Sequence, residues 1–276
     1  MVAIPVSSVI GGAVSGALLE LNGIAGVAGW KWLFLMEGIP VAVLGVFVLY
    51  ALTERPEDAG WLTPEERLVV CERVSGEPRQ HEVRRLLPAL KDPRVLILGA
   101  VQFGFLVGSY GVGIWLPQII KVGQLSDLQV GFVTSGVYGL ASLTMLLWAN
   151  HVDRGGNKVA NLALACLVAA IGLVGAIVTT SFWTSIACLT VSLSGINAAR
   201  GIFFAIPMRF LTGLALAGGL AFINSIGTAG GFVGPSVMGW LVDRTGSFSA
   251  GLLAFAGCLF LSAVAAWSLK LFITSD

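Results

Sequence analysis

Eight runs of about twenty residues pass through this chain with almost no charge, and nothing constrains its fold more than they do. They cover 3–20, 32–53, 95–117, 128–149, 159–180, 183–206, 212–241 and 249–272. A helix needs roughly 20 apolar residues to cross the hydrocarbon of a bilayer. In lipid every backbone N–H and C=O must be satisfied without water, which leaves only helices and closed barrels. The runs are too long for barrel strands and do not alternate with a period of two. The expected fold is therefore all-α: a polytopic membrane protein of about eight transmembrane helices. With 56% hydrophobic and 11% charged residues, the chain has too little charge to cover a soluble surface of its length.

The charges are as informative in their placement as in their scarcity. Of sixteen Lys and Arg, eight fall between Arg55 and Arg94. If that segment is cytoplasmic and the runs alternate, twelve basic residues lie inside and three (Lys31, Lys121, Arg244) outside. That asymmetry satisfies the positive-inside rule and puts both termini in the cytoplasm. Net charge is near neutral, so no nucleic-acid partner is expected. Cys71, Cys166, Cys188 and Cys258 form no C-x-x-C pair and read as packing residues.

The segment 54–94 carries local signals. In WLTPEERLVV, Thr63 reads as an N-cap, Pro64 as the first helical residue and Glu66 as the reciprocal member of a capping box. This predicts a short amphipathic helix over 64–76. In KDPRV, Asp92 and Pro93 mark the start of the next span. The segment separates two spans (1–53) from six (95–276).

Several spans combine glycine with polar residues. In INSIGTAGGFVGP (223–235), a 100° projection puts Asn224, Gly227, Thr228, Gly231 and Pro235 on one face. Small residues let helices approach in lipid, where no hydrophobic force drives them together. That face is expected to meet protein or an aqueous cavity. In 102–117, Gly104, Gly108 and Gly111 share one face, and Gln102 and Ser109 share another beside Tyr110. In 183–206, Thr190, Ser194, Asn197 and Gly201 line up, with Arg200 at the border.

These residues supply the candidate site. Apart from Lys270 at the end of the last run, Arg200 is the one basic residue within a span. It reads either as a fixed cation for an anionic ligand or as a side chain snorkelling to the membrane edge. Asn224 is a cavity hydrogen-bond donor or interhelical glue. Tyr110 and Trp115 are cavity walls or interfacial belt residues. Glu37 is a proton carrier or an interfacial group. His81 and His151 fall outside the spans, and there is no H-E-x-x-H, G-x-S-x-G or P-loop, so no enzyme chemistry, metal site or cofactor is expected.

The run GWKWLFLMEGIPVAVLGVFVLYALTERPEDAGWLTPEER (29–67) resembles the middle of major facilitator superfamily transporters. More narrowly it resembles their anion:cation symporter branch, which includes tartrate, phthalate, hexuronate and nicotinate permeases. Trp30, Phe34, Leu35, Glu37, Gly38 and Pro40 match the branch's sixth-helix pattern, and Leu62 to Arg67 its loop. YGVGIWLPQIIK (110–121), AIPMRFLTG (205–213) and 223–248 resemble its seventh helix, tenth-to-eleventh connection and eleventh helix. In HVDRGGNK (151–158), Asp153, Arg154, Gly156 and Lys158 match the superfamily's D-R-x-G motif, with Ala149 where a glycine usually opens it.

The resemblance implies a fold of two pseudo-symmetric six-helix halves, of which these spans correspond to the fifth through twelfth. Residues 1–53 would be the last two helices of the N-terminal half, 54–94 the central loop and 95–276 the C-terminal half. The expected protein is thus an N-terminally truncated secondary transporter. By resemblance the intact form carries a small organic anion, a carboxylate, into the cell with a proton or a sodium ion. Arg200, Asn197, Asn224, Gln102 and Tyr110 would contact substrate, and Asp153 and Arg154 would act as a conformational switch. The alternative is a product that does not transport by itself, or an interaction module that needs a separate N-terminal half as partner.

Overall fold

The computed structural model describes residues 3–53, 55–75 and 91–272; His81 and the basic residues Arg79, Arg84 and Arg85 lie outside these. Nine α-helices occur among the described residues: α1 (Ala3–Leu19), α2 (Gly29–Ala51), α3 (Pro64–Ser75), α4 (Pro93–Lys121), α5 (Asp127–Asp153), α6 (Lys158–Val178), α7 (Phe182–Phe203), α8 (Gly213–Thr245) and α9 (Ser249–Ser268). Among the described residues seven apolar helices are long enough to cross a membrane: α2, α4, α5, α6, α7 with its continuation to Arg209, α8, and α9 with its continuation to Leu271. The eighth expected span, α1, has 17 residues, with its apolar part at Val6–Leu19, and is shorter than the others.

The helices start where side chains can satisfy their first N–H groups. Asp92 Oδ1 accepts from the Arg94 N–H at 2.8 Å, with Pro93 in the first turn. Ser126 and Gln129 form a reciprocal capping box on α5, and Asn157 Oδ1 accepts from the Ala160 N–H to open α6. Three helices continue through an internal proline: α2 past Pro40 to Ala51, α4 past Pro117 to Lys121, and α8 past Pro235 to Thr245. The apolar count stops α4 at Pro117, yet the helix runs on. A proline removes one donor from the ladder without forcing an end, because in lipid the remaining backbone groups have no water to turn to.

The chain forms two compact units, Met1–Ala17 with Arg85–Asp276, and Leu18–Arg84. In the larger unit α4 packs most extensively on α8, α6 on α7 and α9, and α5 on α7. Its core is built from fully buried Leu98, Phe105, Leu116, Leu162, Leu189, Ile196, Phe203, Phe255 and Leu259. The glycine faces read from the sequence become contact faces. Gly104, Gly108 and Gly111 of α4 lie against Ser262, Leu259 and Phe255 of α9. On α8 the tight stripe is Gly227, Gly230 and Gly234, where a Cβ at 230 or 234 would strike the carbonyl oxygens of Phe103 and Val107. Gly231, which the projection grouped with Gly227, faces the ring of Tyr110 on the same neighbouring helix. α1 meets α5 through Gly12 and Gly16 against Gly131, and Ser135 Oγ donates to the Val9 carbonyl at 2.7 Å.

The smaller unit holds α2 and α3. The capping box predicted for α3 is present: the Thr63 N–H donates to Glu66 Oε2 at 3.0 Å, and the Glu66 N–H donates to Thr63 Oγ1 at 3.3 Å. Arg67 Nη2 donates to the Ala59 carbonyl at 2.8 Å and closes the loop behind it. α2 exposes apolar side chains along its whole length, and Glu37 is exposed between them. Such a helix is stable where lipid is the solvent.

Candidate functional site

A cavity of about 390 Å³ opens in the larger unit between α4, α5, α7 and α8. Three helical periodicities build its wall. Leu193, Asn197, Arg200 and Phe204 follow one face of α7 and its last turn. Gln102, Phe105, Ser109 and Tyr110 lie along α4, and Asn224 and Thr228 are one turn apart on α8. Tyr138 of α5 and Ser8 of α1 complete the polar lining. All five residues expected to contact substrate (Gln102, Tyr110, Asn197, Arg200 and Asn224) thus border a single space. Trp115 does not; its indole N–H donates to the Pro235 carbonyl at 3.2 Å and ties α4 to α8.

Arg200 is only 9% exposed, and its guanidinium turns into this space instead of reaching past the helix end. Nη2 donates to Ser109 Oγ at 2.6 Å. Its electrostatic neighbours are the phenols of Tyr110 and Tyr138. Among the described residues the two ion pairs are Arg94–Asp92 and Lys121–Asp127, and neither supplies Arg200 with a carboxylate. Its place in the last turn of α7 puts the cation beside the carbonyl-rich helix end, which offsets part of the cost of burying it.

The amides are arranged across the helices. Gln102, 3% exposed, donates from Nε2 to Asn224 Oδ1 at 2.7 Å and so links α4 to α8. That bond engages the oxygen of Asn224, whose exposed amide borders the cavity. Asn197 donates from Nδ2 to the Leu193 carbonyl of its own helix at 3.0 Å. Thr228 Oγ1 donates to the Asn224 carbonyl at 2.7 Å. A guanidinium presents five donors in a planar fork, of which Ser109 takes one; the remainder suit a carboxylate.

Tyr138 and Ser8 were not singled out in the sequence. A signal for Tyr138 exists in the spacing of Thr134, Tyr138 and Ser142, a polar stripe at i, i+4 and i+8 of an apolar run. Asp153 and Arg154 stand elsewhere: Asp153 ends α5, the Arg154 N–H donates to the Asn150 carbonyl at 3.2 Å, and both side chains are exposed outside the cavity lining.

Residues 1–235 match the Major Facilitator Superfamily. The chain belongs to the major facilitator superfamily. It is 45% identical over 268 residues to a protein of Agrobacterium vitis named "Putative tartrate transporter", covering 96% of this chain and 61% of that one. It is 34% identical over 252 residues to the "Quinolone resistance transporter" of Acinetobacter baumannii, covering 90% of this chain and 58% of the relative. Against the "Inner membrane transport protein RhmT" of Escherichia coli it is 32% identical over 270 residues, with 96% and 62% covered. This major facilitator chain therefore spans about three-fifths of the length of the curated relatives it matches. It is a multi-pass membrane protein of a transporter family.

Proposed function

We propose that the cavity is one wall of the substrate path of a secondary transporter for small organic anions in the cell inner membrane, with both termini in the cytoplasm. The carrying observation is Arg200: a buried guanidinium, aimed into a cavity that amides and hydroxyls border, with no carboxylate among the described residues to neutralise it. An unpaired buried cation is costly. A carboxylate ligand removes that cost and is recognised by the same act. Gln102, Asn197, Asn224 and Tyr110 supply hydrogen bonds around it, and the rings of Phe105 and Phe204 supply apolar contact. The identity to the Agrobacterium vitis protein favours a hydroxylated dicarboxylate such as tartrate as the cargo.

Transport in this superfamily's geometry needs two bundles rocking about a central site. Asp153 and Arg154, exposed at one end of α5, are suited to exchange ionic partners between the two arrangements. The coupling ion is a proton, as the resemblance to the symporter branch implies. A thermal-shift screen of the purified chain against carboxylates tests the binding step, because a ligand that binds only the folded form raises Tm. Tartrate and close analogues should raise it, and neutral polyols of the same size should not. Equal shifts for both classes would refute the anion assignment. Uptake of labelled tartrate into vesicles, with the remaining helices supplied as in the longer relatives, should collapse with a protonophore. Collapse with a sodium ionophore alone would replace the proton by sodium.

A further inference from the structure

Away from the cavity, the larger unit carries a second concavity of about 290 Å³ on its outer face, between α6 and α9. Its floor is small (Ala160, Ala163, Ala263) and its walls are large (Leu164, Phe260, Trp267). The lining pairs the start of α6 with the end of α9, so the helices run antiparallel along it. The stretch 160–167 rises about 10 Å, the length of a substantial part of an acyl chain. The lining is apolar throughout, and Leu164, Phe260 and Trp267 are exposed.

The charges at one mouth of this groove give it a chemical preference. Lys158 is the first residue of α6, immediately before the groove floor. Lys270 follows α9, and its Nζ lies 3.4 Å from the ring centroid of Trp267. The N-terminus of α6, capped by Asn157, adds partial positive charge at the same mouth. Arg154 precedes it by one turn of chain, and the acidic residues at this end include Asp153, which ends α5, and Asp92, which caps α4 and pairs with Arg94. An apolar slot with a cationic mouth and an indole at its rim matches a two-chain anionic phospholipid lying along the helices.

We propose that the α6–α9 groove binds an anionic phospholipid, with one acyl chain against Ala160, Ala163 and Ala263 and the phosphate between Lys158 and Lys270. A second copy of this chain fits the same slot less well. A two-fold axis normal to the membrane would set both copies' lysines at one level, facing each other.

Native mass spectrometry of the purified 276-residue chain, with phosphatidylglycerol and phosphatidylcholine of identical acyl chains in competition, tests this. Two lysines near a phosphate predict a preference of roughly thirtyfold for phosphatidylglycerol. K158Q/K270Q should abolish that preference, and K121Q/R244Q, which alters cations elsewhere, should keep it. Ala160→Phe, which fills the slot, should lower retention of both lipids. A preference that survives K158Q/K270Q, or that K121Q/R244Q removes equally, overturns the proposal. So does lipid retention unchanged in Ala160→Phe, or a dimer free of lipid adducts that Ala160→Phe dissociates.

Discussion

Arg200 of α7 is held by Ser109 of α4 through a 2.6 Å hydrogen bond from Nη2 to Oγ. The bond fixes the guanidinium plane against the adjacent helix and leaves its other donors toward the cavity. Removing the hydroxyl in Ser109→Ala frees the plane while leaving the charge. A hydrogen bond of this kind contributes about 1 kcal/mol or more, so tartrate affinity should weaken by roughly fivefold. Titration calorimetry of the purified variant reads this directly, and Ser109→Thr, which keeps a hydroxyl, should recover most of the loss.

Gln102 and Asn224 couple α4 to α8 through one hydrogen bond of 2.7 Å. Interhelical hydrogen bonds in membrane proteins contribute about 0.6 kcal/mol on average and up to about 1.7. A double-mutant cycle with Gln102→Leu and Asn224→Leu should return a coupling energy inside that range when unfolding is followed in detergent and denaturant. Additive single effects would show that the amides act independently.

The α4–α8 contact rests on missing side chains. Gly230→Ala and Gly234→Ala would push a methyl into the backbone carbonyls of Phe103 and Val107, which cannot swing aside as a side chain can. Each should destabilise by about 1–3 kcal/mol. Gly257→Ala is the control: a Cβ there meets nothing within 4 Å, and alanine favours the helix by about 1 kcal/mol. Detergent melting curves should therefore separate the three variants in opposite directions.

Asp92 caps α4, and its carboxyl is held below the ordinary aspartate range, first by the side-chain hydrogen bond from Arg94. For a lowered carboxyl, the stabilisation is present above the unfolded-state value and is lost as pH falls through the lower folded value. The Tm gap between the parent chain and Asp92→Ala should thus be constant from about pH 7 to 5 and shrink below about pH 4. A gap that widens on acidification would contradict the assignment.

Much of this architecture was readable in the chain because lipid simplifies the code. Spans announce themselves by length, and Thr63, Glu66, Asp92 and Pro93 set helix starts by purely local bonds. Gln102, Asn197, Arg200 and Asn224 stood out because polar groups in apolar runs must face protein or water. What was not readable depends on which helices become neighbours. That Ser109 would meet Arg200, or that Tyr138 of α5 would flank it, is fixed by packing 91 residues apart in the first case and by a helix crossing in the second. The projected α8 face meets α4 as read, Gly227 against Gln102 and Gly231 against Tyr110, but the closest backbone approach falls on Gly230 and Gly234, because a projection of one helix does not contain the partner's carbonyls. The polar extension of α5 to Asp153 escaped an apolar count for a related reason: a helix does not end where the hydrocarbon does.

The central claim is that Arg200 is the cation that receives the ligand's carboxylate. Titrating tartrate into the purified chain and into Arg200→Lys and Arg200→Ala tests it most directly. A lysine keeps the charge but loses the planar fork. The account predicts tightest binding for the parent, intermediate binding for Arg200→Lys and little or none for Arg200→Ala, in each case with the fold intact by circular dichroism. Equal affinity in all three folded proteins would contradict it.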